Sequence, residues 1–271
     1  MINLNAEYNG ADRILSIFQK LLLRDFPNEE LIGVEMGVAY GGGLEALGKL
    51  WAGRGLVFGF DTFEGHPKQL ASSADSLEAT CMDGWYEKYG REKLSFNYQW
   101  AEFEKQGLYN IILKQGLVHS DSCCFLPYIH YCLLDLDILS SMKDGYEAVR
   151  HRIVDKGFLC LHDVVGHKLI PELHEWYNEI KKLPQWEVIY EGEKEYLAVL
   201  RRKLPNNWVN WEYKDACSRS FTRSFRNTGS ASRRFHDRRD GRRRRARGGD
   251  PRADRTGGKI LGIGPRRDDA C

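Results

Sequence analysis

The sequence has no run of about 18 uncharged apolar residues, and its first residues, Met1-Ile2-Asn3-Leu4-Asn5-Ala6-Glu7, contain no basic segment followed by an apolar one. These two absences argue against a membrane-spanning helix and a secretory leader, and predict a soluble, cytoplasmic protein. None of the seven cysteines stands in a CxxC pair or at a regular spacing. Without an export signal they are expected to stay reduced, with Cys132 and Cys160 as small core residues.

What is present is an acidic body joined to a basic end. Residues 215 to 271 carry 16 Arg and 1 Lys against 7 Asp, whereas residues 1 to 214 carry 23 basic and 31 acidic side chains. The end segment is Arg, Gly, Ser and Asp with almost no apolar residues before Ile260, too little to bury a core. Residues 205–271 therefore read as an Arg-rich, disordered tail. A solvated extension is preferred there over a nucleic-acid-binding arm, although Arg242 to Arg245 would suit the latter.

Along the body, Ile14, Leu15, Ile17, Phe18, Leu21 and Leu22 recur at helical spacing and predict an amphipathic helix over Ala11 to Arg24, so that residues 1–30 form a helical cap. The apolar run Leu31 to Glu35 is followed by glycines, then by a helix over Leu44 to Trp51 and a second strand over Gly55 to Phe60. Residues 68–107 break this rhythm with polar and aromatic sequence, including Trp85 and Trp100. Such a long connection predicts a lid or substrate-binding insertion. Strands are expected at Asn110 to Lys114, Tyr131 to Asp135 and Gly157 to Leu161, with helices over Ser141 to Lys156 and Pro171 to Lys182. The runs Trp186 to Tyr190 and Tyr196 to Arg201 predict a closing antiparallel hairpin. This alternation predicts an α/β, Rossmann-like, doubly wound and mainly parallel sheet with helices on both faces, filling residues 31–204.

The glycines at 37, 41, 42 and 43 let the backbone turn sharply and approach a ligand. Their GxxxGG spacing lacks the GxGxxG of a dinucleotide site, and Glu35 would set a carboxylate beside the phosphates of such a ligand. An acidic residue there suits a cationic ligand, and Asp61, ending the second strand, can accept both hydroxyls of a ribose. Three more aspartates stand at strand ends: Asp135, Asp137 and Asp163. In a parallel sheet those ends converge, and converging carboxylates need a cation or a proton between them. A hard divalent ion such as Mg²⁺ would meet that need with Asp135 and Asp163 as ligands, leaving Asp137 as base toward a substrate hydroxyl. His162 adds a nitrogen donor that a softer ion would accept, while His167 and His174 read as surface residues near a helix start.

At Val34-Glu35-Met36-Gly37-Val38-Ala39-Tyr40-Gly41-Gly42, at Val57 to Pro67 with its Asp61-Thr62-Phe63-Glu64-Gly65-His66-Pro67 segment, at Leu134-Asp135-Leu136-Asp137 and at Gly157 to Asp163, the chain resembles class I S-adenosylmethionine-dependent methyltransferases. More narrowly it resembles the macrocin O-methyltransferase-like family, over roughly residues 30 to 200. The resemblance implies a seven-stranded sheet with an antiparallel last strand, and S-adenosylmethionine held by Glu35, Gly37, Tyr40, Gly41, Asp61, Thr62, Phe63 and Gly116. It also implies a Mg²⁺ or other divalent ion on Asp135, His162 and Asp163, with Asp137 as the catalytic base. His162 departs from the Asp or Glu usual in that family, as do Leu139 and Ser140 from its common Tyr and Glu. The activity implied is O-methylation of a small metabolite, a sugar or related natural product. The expected partner is a small-molecule hydroxyl substrate rather than nucleic acid or a membrane, and a homo-oligomer stays open. A nicotinamide-dependent oxidoreductase on a similar sheet, or a non-catalytic module using the basic tail, is the competing reading.

Overall fold

Two central strands have the composition that burial on both faces requires. In the computed structural model, which describes residues 11–65, 90–166 and 170–204, β1 (Leu31–Met36) and β4 (Ile129–Leu134) are buried along their whole lengths, as parallel strands covered on both sides are. Around them lie β2 (Gly55–Asp61), β3 (Ile111–Gln115), β5 (Ile153–Leu161), β6 (Trp186–Gly192) and β7 (Leu197–Arg202). The seven strands run in the order β3-β2-β1-β4-β5-β7-β6. β1 to β5 are parallel, and β7 lies antiparallel between β5 and β6. This is the doubly wound sheet with a reversed last strand that the sequence predicts.

The helices are α1 (Ala11–Asp25), α2 (Gly42–Leu50), α3 (Phe96–Lys105), α4 (Leu139–Val149) and α5 (Pro171–Ile180). Phe18 of α1 meets Phe158 of β5 edge to face at 5.1 Å, and Trp51, fully buried at the end of α2, meets Tyr131 of β4 in the same way. The buried side of α1 and the residues of β1, β4, β5 and β7 beneath it form one apolar cluster. Cys132 and Cys160 lie in the interior, as small core residues do. No helix among the described residues is long and apolar enough to cross a membrane. Residues 1–10, residues 66–89 with the first half of the insertion expected at 68–107, residues 167–169 with His167, and the tail from residue 205 lie outside the described residues.

One boundary differs from expectation. The helix predicted over Ser141 to Lys156 stops at Val149, and β5 begins at Ile153. The β-branched pair Ile153-Val154 favours extended backbone, and Ile153 joins the sheet opposite Ile129. The register then jumps to Tyr131 opposite Phe158, with Lys156 at φ 65° inside the irregular stretch. Helical periodicity in the sequence runs through this kink because the chain loops out without losing its apolar residues.

His130 is fully buried at the start of β4. Its Nδ1 accepts the Ile32 N–H at 3.1 Å, so the proton sits on Nε2, which faces Glu29 at 3.6 Å. Burial lowers this imidazole to about 4, against the opposing pull of Glu29. The unfolded chain takes up a proton near pH 6.5 that the folded chain refuses until about pH 4, so stability is complete above pH 6.5 and falls as the pH drops through that window. The full effect amounts to about 3 kcal/mol. Chemical unfolding at pH 7 and pH 5 is expected to show a smaller pH-dependent loss in His130→Asn than in the parent chain. Equal losses in the two would remove His130 as the cause.

Candidate functional site

The strand order reverses between β1 and β4, and in an open α/β sheet the crevice beyond the carboxyl ends at such a reversal is where ligands bind. Here the two strand ends are in close contact. Asp135 N–H donates to Met36 O at 2.8 Å and Gly37 N–H to Phe60 O at 2.9 Å. Gly37 has φ 89°, and a Cβ on it would lie 1.7 Å from the Asp135 carbonyl oxygen. Only glycine fits that position.

The turn continues through Ala39 at φ 46° and Gly41 at φ 77°, the residue that caps the start of α2. Asp61 fixes its shape. One carboxylate oxygen accepts the N–H groups of Val38 at 2.7 Å and Ala39 at 3.1 Å, and the other accepts Phe63 N–H at 2.8 Å. The strand-end aspartate expected to meet a ribose clamps the glycine turn, and Thr62 Oγ1 lies 3.4 Å from its second oxygen. Thr62 Oγ1 donates to Gly65 O at 2.7 Å. Phe63 is buried at φ 58° with its ring edge-on to Phe96 of α3. Gly116 N–H donates to Asp61 O at 2.9 Å, which brings the end of β3 beside that of β2. Cβ atoms on Gly42 and Gly116 would meet open space, and Tyr40 is half-buried between Ala39 and Gly41.

Glu35 is buried below the first turn of α2, its carboxyl oxygens 2.7 and 2.8 Å from where a Cβ on Gly43 would be. Burial, and then repulsion from Asp135, Asp12 and Asp61, raises this carboxyl well above the usual range. A positive charge brought to the turn would favour its ionised form.

Across the reversal, Asp135, His162 and Asp163 come together, each half-buried, with ligand atoms within 4.8 Å of one another. His162 Nδ1 lies 2.9 Å from Asp135 and 3.3 Å from Asp163, and His162 N–H donates to Leu134 O at 3.0 Å. Burial alone would lower the imidazole, but the two carboxylates overcome it and raise it to about 11. The protonated ring thus offsets one of the two carboxylate charges and leaves the cluster negative. The donor set fits a hard divalent cation once that proton leaves, because a ligating His must be neutral. Asp137, φ 59°, and Asp163, φ 58°, follow the ends of β4 and β5 in left-handed conformation. With Ala39 and Phe63 they are four of the six described non-glycine residues in that sparsely populated region, and these four lie beyond the carboxyl ends of β1, β2, β4 and β5.

Gln99 of α3 is a site neighbour that sequence reasoning missed. It is 2% exposed. Its amide Nε2 donates to Ala39 O and to Leu94 O at 3.3 Å, and its Oε1, without a hydrogen-bond partner, lies 2.9 Å from where a Cβ on Gly41 would be. The second half of the expected insertion therefore packs on the glycine turn. A signal existed, since Gln99 shares the helical stripe of Phe96 and Phe103.

No protein-family model and no curated protein matches the chain. Solved structures do match it. The O-methyltransferase NovP is 16% identical with a TM-score of 0.56, the alignment covering 72% of this chain and 81% of NovP. A Staphylococcus aureus protein provisionally assigned as a caffeoyl-CoA O-methyltransferase is 9% identical with a TM-score of 0.51, covering 73% of this chain and 86% of that one. The chain has the fold of these methyltransferases.

Proposed function

We propose that the chain is an S-adenosylmethionine-dependent O-methyltransferase acting on a hydroxyl of a small metabolite, a sugar or related natural product, assisted by a divalent cation. The observation that carries this reading is the joining of two half-sites through the Gly37–Asp135 contact. One is a left-handed glycine turn clamped by Asp61, and the other is the Asp135, His162 and Asp163 cluster.

When bound, the cofactor supplies an electrophilic methyl group on a sulfonium and the cation supplies positive charge that favours the deprotonated acceptor. Gly37 and Gly41 would let the backbone approach the methionine part, and Asp61 would accept the ribose hydroxyls. Glu35, drawn to its anionic form by a neighbouring positive charge, balances that charge from below. Asp135 and Asp163 would hold the ion, with His162 as a third ligand after losing its proton. Asp137 takes the proton of the acceptor hydroxyl. In-line displacement needs alignment above all, and the strained, pinned strand ends provide it.

Titration calorimetry with S-adenosylhomocysteine is expected to show one site, and NAD none. Methyl transfer to sugars and phenolic metabolites is expected to fall at least 10-fold with EDTA and in Asp163→Asn, which keeps the shape of the cluster but removes a charge. Full turnover by a metal-free preparation would eliminate the cation from the mechanism. NAD binding without S-adenosylhomocysteine binding would replace the reading by an oxidoreductase.

A further inference from the structure

At the end of the sheet opposite the crevice, roughly 15 Å away along β5 at about 3.3 Å per residue, two guanidinium groups rest on adjoining aromatic rings. Arg202, the last residue of β7, lies 5.2 Å from the Trp186 ring centroid, and Arg150, just past α4, lies 5.9 Å from that of Tyr146. The rings themselves are 6.5 Å apart, joined by a 3.1 Å bond from Trp186 Nε1 to the Tyr146 hydroxyl. Arg202 is only 8% exposed, and its Nε has no hydrogen-bond partner. No carboxylate forms an ion pair with it among the described residues. A buried charge in that state is costly and normally has a counter-ion.

Of the acidic groups nearby, two are ion-paired with other cations and the third, Asp155, bonds a backbone amide and acts on Arg202 only through space. Glu147 pairs with Arg150 at 2.7 Å and Glu187 with Lys203 at 3.2 Å, while Asp155 accepts Leu204 N–H at 3.1 Å. His151, beside Arg150 and exposed, is held below its ordinary value by burial and by Arg150, Arg202 and Arg152, with Glu147 opposing, so the cations outweigh the carboxylate in its field. Burial and the Arg150 charge likewise lower Arg202, with Tyr146 and Asp155 opposing.

We propose that Arg202, Arg150 and His151 form a binding site for a small tetrahedral oxyanion, inorganic phosphate or a phosphomonoester. Arg202 offers the planar fork that suits such an anion. Arg150, about one-third exposed, and His151 form the open side. Binding at this site is separate from the crevice at the strand ends and supplies Arg202 with a direct ion pair in the folded state, so it stabilises the fold.

The test is thermal unfolding of the full chain at constant ionic strength, with chloride replaced by inorganic phosphate or by ethyl phosphate. The melting temperature is expected to rise by about 3–6 °C at tenfold the anion's Kd. Arg202→Met is expected to melt higher than the parent without phosphate, since an unpaired buried charge is gone, and to lose the response. Arg150→Gln, a change on the open side, keeps the fold and weakens anion affinity at least fivefold. Response to phosphate alone assigns the free ion, and response to both anions assigns the phosphate group wherever it is carried. General stabilisation by a kosmotropic salt raises all three proteins equally. That outcome, or no difference from chloride in the parent chain, overturns the proposal.

Discussion

Gly37→Ala is expected to abolish measurable S-adenosylhomocysteine binding, by at least about 100-fold, and to destabilise the fold by about 4 kcal/mol or more, among the largest effects a single substitution produces. Two causes act together. Alanine at φ 89° is strained by about 1–3 kcal/mol, and its methyl group would sit 1.7 Å from a carbonyl oxygen in the backbone of Asp135. Backbone cannot swing aside as a flexible side chain can, so the ends of β1 and β4 must separate and the Asp135 N–H bond to Met36 goes with them. Thermal unfolding and calorimetry check both parts. A variant with the parent's melting temperature and affinity would show that the strand ends are not in the contact described.

The second large effect is expected at Asp61. Removing its carboxylate in Asp61→Ala leaves the N–H groups of Val38, Ala39 and Phe63 without acceptors. Each bond to a charged acceptor is worth about 1.5–3 kcal/mol, and water recovers part of that at a half-buried site, so a net loss of about 3 kcal/mol follows. Asp61→Asn keeps one carbonyl oxygen and is expected to fall between. Both variants are expected to lose cofactor affinity in the same order as stability, because the clamp and the ligand contact share one side chain. Loss of affinity at unchanged stability in Asp61→Ala would assign Asp61 to the ligand alone.

These two residues also show which parts of the molecule were legible in the sequence. Gly37 and Asp61 stand at the ends of apolar runs followed by turn residues, and strand ends are what one-dimensional patterns mark best. The same logic located Asp135, His162 and Asp163, whose meeting required only that consecutive parallel strands end on one side. The boundary at Val149 was hidden because a looped-out register change leaves no mark on periodicity. Gln99 and Arg202 were invisible for another reason. Each is a polar residue whose importance lies in burial, and burial comes from elements distant in sequence: Ala39 and Gly41 lie 60 and 58 positions before Gln99, and the Tyr146 ring lies 56 before Arg202. His130 belongs with them, its role set by Ile32, 98 residues away.

In the function proposed above, the contact between Gly37 and the Asp135 carbonyl would couple two equilibria. Asp135 supplies a side chain to the three-residue cluster and a backbone wall to the glycine turn. A cofactor that shifts the turn is then expected to change the affinity of the cluster for a cation, and by thermodynamic reciprocity the cation would change cofactor affinity by the same factor. Occupancy of one half of the crevice would then reach the other through a single peptide unit.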